Sequence, residues 1–276
     1  MIQKIIITTT FLILFAAVFA QENESKTNMA GSEKMEIKNS KMKVEVWSDI
    51  SCPFCYLGKH KFEKALAQFP DKAFIELEWK SFQLNPGLET DTNITVFEYL
   101  AAEKGLEPAD VKQMTDYATQ AAAQVGLQYN FDKVVVANTF KAHRMLHFAK
   151  EKGLQSEVKE RLLKAHFTDG ENVDDTPTLL RLGKEAGLDA IALKVILDNG
   201  TYTSEVQADM HEAQQMRIQS VPYFIFNRKL AVNGAQEPTV FLQTLEKSFA
   251  EWRKDNPVSP IEVIQGQNCT TKGKCN

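Results

Sequence analysis

A chain of 276 residues, 43% hydrophobic and 25% charged, has the composition of an ordinary globular protein with room for a large core. Its formal charge of −4 gives no basis for nucleic acid or an anionic membrane as a partner. Four cysteines are too few to staple a fold of this size, so the fold rests on its core and the cysteines are free for chemistry.

The chain opens with a short basic start, MIQK, then the apolar run IIITTTFLILFAAVFA, with small residues at Val18 and Ala20 ahead of polar QENESKTN. That pattern predicts a secretory signal peptide over 1–20, cleaved after Ala20. The run Ile5–Ala20 falls short of the ~20 residues that span a bilayer, so no stable membrane span is expected after cleavage. Residues 21–42 are polar without an apolar period and read as a linker.

Lys43–Trp47 alternates with period two, as a strand does. From Pro53, PFCYLGKHKFEKALAQF spaces Phe54, Leu57, Phe62, Leu66 and Phe69 along one face of an amphipathic helix. Ala73–Gln83 alternates again, and Asn85-Pro86-Gly87 breaks the chain. From Thr95 to about Met216 the pattern is helical throughout, with successive segments closing on glycine. Asp174, Asp175 and Thr176 are the candidate caps ahead of Pro177. Strand character returns in SVPYFIFNRKLAVNGAQ, as Tyr223–Asn227 and Lys229–Val232 joined by a tight turn. Gln236–Trp252 reads as a last helix, and 254–276 as a tail carrying Cys269 and Cys275.

This order predicts an α/β fold with a thioredoxin-like, four-stranded mixed sheet. Residues 43–87 and 217–253 build the thioredoxin-like domain, and 88–216 form a long all-helical insertion between strand 2 and strand 3.

The chemistry concentrates in SDISCPFC. Cys52 falls at the start of the predicted helix, where unpaired N–H groups and the positive dipole end favour a thiolate. Pro53 suits the first helical position, where no N–H is needed. Cys55 lies on the same helical face, within reach to resolve a mixed disulfide. A zinc site needs about four ligands, and no second pair lies near the first, so no metal is expected. A structural disulfide closing so small a loop would constrain the unfolded chain little.

Ser220-Val221-Pro222-Tyr223 places proline at a strand start, where it is tolerated. With a cis Val221–Pro222 bond the loop would present its backbone to the cysteines and hold an extended substrate; a trans proline opening a strand is the alternative. Cys269 and Cys275, in NCTTKGKC, read as a disulfide closing a terminal loop, or as a second redox pair. His143 and His147 share a helical face without a third metal ligand, and are expected to pack or to line a substrate groove. His60 reads as a helix-surface residue. Asp49 reads as a cap of the turn before Cys52, with a proton relay as the alternative. Asn138 and Arg144 carry no assigned role.

Four blocks, VEVWSDISCPFCYLGKHKFE, NTFKAHRMLHFAKEKG, HFTDGENVDD and SVPYFIFNRKLAVNGAQ, carry a resemblance to the DsbA-family thiol–disulfide oxidoreductases, specifically their FrnE-like branch. The likeness runs from about Lys43 to Trp252. It implies Cys52 as nucleophile, Cys55 as resolving cysteine, and a cis Val221–Pro222 bond beside them, with Pro53 and Phe54 in the active-site loop. It implies no metal or organic cofactor, since a redox-active disulfide carries the electrons. The implied partners are thiol- or disulfide-containing proteins and a redox recycling partner, in a periplasmic or other extracytoplasmic compartment.

Well-known members of the wider family carry a histidine between the cysteines. Here Pro53 and Phe54 stand there, so Cys52 is expected to be less acidic and the couple more reducing. The kappa-class glutathione transferases and hydroxychromene carboxylate isomerases share the fold but replace the first cysteine with serine. Both cysteines are present here, which leaves glutathione-dependent transfer or isomerisation as the runner-up. A non-catalytic, chaperone-like binding module is the third reading.

Overall fold

The computed structural model of the protein describes residues 40–257. The expected signal peptide, most of the linker, and Cys269 and Cys275 lie outside the described residues. The described residues form one unit.

Strand β1 (Met42–Ser48) leads into helix α1 (Pro53–Gln68), and a short 3-10 turn (Lys72–Phe74) leads into β2 (Ile75–Ser81). The helical insertion holds α2 (Val96–Lys104), α3 (Pro108–Ala123), α4 (Phe140–Glu151), α5 (Gln155–Lys164), α6 (Thr176–Glu185), α7 (Ala190–Asn199) and α8 (Thr203–Gln215). Strands β3 (Tyr223–Phe226) and β4 (Leu230–Asn233) and helix α9 (Pro238–Asp255) complete the unit. The sheet order is β2-β1-β3-β4, with β1 and β2 parallel and the other two pairings antiparallel. This is the mixed sheet with a helical insertion between strands 2 and 3 that the sequence predicts.

Local chemistry explains most boundaries. Thr95 and Glu98 form a reciprocal capping box that starts α2. Asp175 caps α6 by accepting from the Thr178 amide at 2.9 Å, with Pro177 in its first turn. The β3–β4 turn has both central residues, Asn227 and Arg228, at positive φ, and Lys229 N donates to Phe226 O at 3.0 Å. That geometry matches the twist of the flanking strands.

Several boundaries differ from the sequence reading by a few residues. Met42, assigned to the linker, is fully buried in β1. The second strand loses its first two residues to the 3-10 turn, and the last helix runs on to Asp255, into the expected tail.

The alternation of β1 sorts its side chains to two covered faces. Val44 and Val46 pack with Phe62 of α1, Phe224 and Phe226 of β3, and Phe241 and Leu245 of α9. Edge-to-face contact between Phe224 and Phe241, 4.6 Å between ring centres, ties sheet to helix. On the other face Trp47 and Ile225 pack against Ala213 of α8, and Trp47 Nε1 donates to Asp209 O at 3.0 Å. Glu45, on that same face, is therefore buried rather than solvated. Arg228 pairs with it and also reaches Glu212 of α8 at 2.6 Å. A second core, centred on Met145 and Leu146 of α4, gathers Leu162, Leu179 and Leu193 within the insertion.

Helix α5 does not stop at Lys164. It widens into a π-turn over Ala165–Asp169 that Gly170 ends in the left-handed conformation, and Glu171 N donates back to Ala165 O at 2.8 Å. Such widened turns cluster at functional sites; this one carries His166 and Phe167.

Candidate active site

Asp49, Ile50 and Ser51 carry the chain from β1 to Cys52, the N-cap of α1, with Pro53 as the first helical residue. The Cys55 amide donates to Cys52 O at 3.0 Å, which closes the first turn and stacks the second cysteine behind the first. Cys55 is fully buried, whereas Cys52 keeps a 5% exposed sliver. Any macromolecular partner therefore meets Cys52.

The Val221–Pro222 peptide bond is cis, and Val221 O lies 3.5 Å from Cys52 Sγ. Pro222 O accepts from Gly234 N at 2.8 Å, which pins the loop to the turn after β4. Gly58 makes room for it: a Cβ there would sit 2.8 Å from Pro222 Cγ. From the insertion, Tyr129 Oη donates to Pro53 O at 2.6 Å and fixes the start of α1.

Beside Cys52 opens a cavity of about 310 Å³. Phe54, Leu88, Tyr99, Leu100, Phe131, Val134 and Phe167 give it an apolar wall, Leu84 stands 53% exposed at its edge, and Asp49, Thr115, Thr139 and His166 are among its buried polar groups. His166 is 3% exposed, and its Nδ1 has no partner among the described residues. Burial pushes its pKa down to about 4, so the imidazole is neutral at neutral pH.

The two sulfurs share their protons, so the pair loses its first proton far more readily than its second. The Cys52 thiol is pushed up by its hydrogen bond to Cys55 and by burial. Burial would also raise Cys55, but the Cys52 hydrogen bond, the Lys159 ammonium and the Ser48 hydroxyl pull it down. Ser48 Oγ is buried without a hydrogen-bond partner among the described residues.

A buried polar network lies behind the pair. Asp49, 1% exposed, accepts from Leu84 N, Thr139 Oγ1 and Ser51 Oγ at 2.8 Å each, and pairs with His143 Nε2 at 3.3 Å. Burial alone would raise Asp49; the His143 hydrogen bond and charge, with the Leu84 amide and the Ser51 hydroxyl, hold it below the usual carboxylate range. Its tie to Ser51 N is long, 3.4 Å, so Asp49 is a junction of three segments more than a cap of its own turn.

The histidines of α4 stand in that interior. His143 bonds Asp49, while His147 Nε2 lies 3.1 Å from Ser81 Oγ and 3.2 Å from Asp209. Both fasten α4 to the sheet side, and neither lines the cavity. Arg144 donates to Thr201 O at 2.8 Å and to carbonyls at the C-terminus of α7, a helix-capping role. Asn138 braces its loop through Leu88 O at 2.6 Å. His60, read as a surface residue, is half-buried and lies 3.2 Å from Glu160 on α5, which Lys59 and Tyr56 also bind.

Residues 43–246 match the DSBA-like thioredoxin domain. The chain belongs to that family. A probable DsbA oxidoreductase from Streptomyces coelicolor is 36% identical, with a TM-score of 0.72 over 85% of this chain and 98% of that one. The uncharacterized protein YwbO of Bacillus subtilis is 29% identical over 213 residues, which are 76% of this chain and 97% of YwbO. A 2-hydroxychromene-2-carboxylate isomerase shares the fold, at 16% identity and a TM-score of 0.55, over 79% of this chain and 100% of its own. Membership of the DsbA-like family carries thiol–disulfide oxidoreductase chemistry with it.

Sequence reasoning passed over two buried residues of the DsbA-like site, Lys159 and His166. His166 lies in a block quoted for the resemblance but was given no role. Lys159 had a legible signal: it sits three and four residues before Leu162 and Leu163, on the apolar face of α5.

Proposed function

We propose that this chain is an exported thiol–disulfide oxidoreductase that exchanges disulfides with protein thiols through Cys52 and Cys55. The observation that carries the reading is the pairing of one reachable sulfur, at a helix start 3.5 Å from the Val221 carbonyl, with a wholly buried sulfur one turn behind. In the oxidising direction a substrate thiolate attacks Cys52 of the disulfide and Cys55 leaves; a second substrate thiol then releases the product disulfide. In the reducing direction Cys52 attacks and Cys55 resolves. No metal or organic cofactor enters, because the electrons reside on sulfur.

The backbone beside Pro222 suits an extended substrate segment, and the apolar cavity with Leu84 at its edge suits a bulky apolar side chain next to the reacting cysteine. Export rests on the basic start and apolar run of the first twenty residues; among the described residues no helix is long and apolar enough to cross a membrane. The isomerase reading has the shared fold in its favour, but two cysteines stand where its chemistry calls for serine first.

Insulin reduction and reduced-RNase oxidation test the proposal. Cys52→Ser is expected to abolish both, and Cys55→Ser to accumulate a mixed disulfide on Cys52. Turnover retained in Cys52→Ser would sink the exchange mechanism, and holdase activity without turnover in the wild type would favour a binding module.

A further inference from the structure

Lys159 and Lys59 are both buried lysines of this site, and they are solved differently. Lys59 Nζ lies 2.6 Å from Glu160 and 2.9 Å from Glu63. Lys159, fully buried on α5, makes no ion pair with a carboxylate among the described residues. Its Nζ donates to Ser48 O at a long 3.4 Å and lies 5.8 Å from the centre of the Trp79 ring. An ammonium taken out of water needs an anion. Ser48, whose carbonyl it reaches, follows Trp47, which is buried in one cluster with Cys52 and Cys55. The cation therefore lies in the interior beside the strand end that carries the cysteine pair.

We infer that Lys159 is a positioning residue for the leaving group: its ammonium is the counter-charge of the Cys55 thiolate and its amine takes up the proton that accompanies reduction. The inference rests on Cys52 and Cys55 being an exchanging couple. In the oxidised protein there is no sulfur anion, and Lys159 is a neutral buried amine. A substrate thiolate, its proton given up to water, adds its sulfur to Cys52 Sγ, the Cys52–Cys55 bond breaks, and Cys55 leaves as thiolate while Lys159 takes up a proton. A second substrate thiol then displaces the first as a disulfide and leaves its proton on Cys52. Two thiols lose two electrons, the enzyme disulfide gains them, and the enzyme ends with two protons more. A leaving thiolate of lower pKa departs faster, so the same contact speeds oxidation of substrate and stabilises the reduced form.

The groups facing Lys159 agree with this. Burial lowers its pKa to about 8, while Cys55, Asp49 and Cys52 hold it up and Lys59 of α1 pushes it down. His143 of α4 also feels the lysine, and burial keeps that imidazole on the neutral side. Asp49, the other acid that holds the lysine up, is fastened by His143, Thr139, Leu84 and Ser51, and no hydrogen bond joins it to Lys159 among the described residues.

The test is a glutathione redox titration of the full chain against Lys159→Met, with the thiolate followed by its ultraviolet absorbance. The variant is expected to shift the equilibrium about tenfold toward the disulfide, ~30 mV for this two-electron couple, and to move thiolate formation to higher pH. Lys159→Arg, which keeps the charge, is expected to recover most of both. Equal potentials and equal thiolate titrations in wild type and Lys159→Met overturn the inference while leaving the exchange mechanism intact. A wild type that does not equilibrate with glutathione overturns both. Should the methionine variant not fold, NMR titration of the Lys159 side chain in the oxidised and reduced wild type decides: the reduced form is expected to titrate at higher pH, and coincident titrations refute the coupling.

Discussion

Gly58→Ala separates the helix's own preference from the needs of the site. In the interior of an ordinary helix this change stabilises by about 1 kcal/mol. Here the new methyl would sit 2.8 Å from Pro222 Cγ, with Ala235 Cβ at 3.5 Å behind it. Ordinary carbon contacts lie at ~3.5–4.0 Å, so the proline ring or α1 must move by roughly 0.7 Å or more. The ring has little freedom, because Pro222 O is held by Gly234 N. Overpacking of this kind costs ~1–3 kcal/mol, which outweighs the helix gain and leaves a net loss of about 1 kcal/mol. For a unit of this size that is a fall of ~2–4 °C in Tm. The larger effect is on rate, because the displaced loop faces Cys52, and an error near 1 Å in a reacting geometry costs up to ~100-fold. Thermal melts and insulin-reduction rates on the same preparation read both numbers. A variant as active as wild type and more stable by the full helix increment would refute the close packing of Gly58 on Pro222.

Two further outcomes follow from the charges around the pair. Phe54→His places an imidazole between the cysteines and is expected to lower the thiolate pKa by about one unit, ~1.4 kcal/mol, making the couple about tenfold more oxidising by glutathione equilibration; an unchanged equilibrium refutes it. His166, with its folded pKa near 4 against an ordinary 6.5, contributes stability that is present above pH ~6.5 and is lost as pH falls toward 4. The loss is about 2–3 kcal/mol, His143 adds to it in the same direction, and His166→Leu is expected to flatten the urea-unfolding stability measured across that window; a profile as steep as wild type refutes the assignment.

The parts of this fold that were legible in the sequence are those fixed by neighbours along the chain. The alternation of β1, the proline after Cys52, the aspartate before Thr176 and Pro177, and the strands flanking Asn227 and Arg228 all act through local geometry, and each lies where its local signal puts it. The histidines of α4 show the limit. Their spacing was visible, but His143 finds Asp49 across 94 residues, and only the packing of α4 on the end of β1 reveals that pairing. Burial of Glu45 is hidden for the same reason, since an alternating strand does not announce that a helical insertion covers its second face. Lysine on α5 reads as solvated until that helix is laid behind Cys55.

That last placement changes what the Pro-Phe dipeptide implies. A histidine between the cysteines would stabilise charge at the loop, in reach of solvent and counter-ions. Lys159 acts from the interior, where screening by salt is weak and a single charge has a large effect. Absence of the histidine therefore fixes only one of two electrostatic contributions, and a couple judged reducing from the loop alone is drawn back toward the oxidising side by the buried cation. The two contributions act from opposite sides of the pair, so they can be told apart. Phe54→His and Lys159→Met shift the glutathione equilibrium in opposite directions, and the double variant should lie near wild type in potential. Its dependence on ionic strength should nonetheless be larger, because the remaining charge would then sit at the half-buried start of α1, nearer to solvent than Lys159. A double variant with the salt response of wild type would show that the buried cation never carried the thiolate.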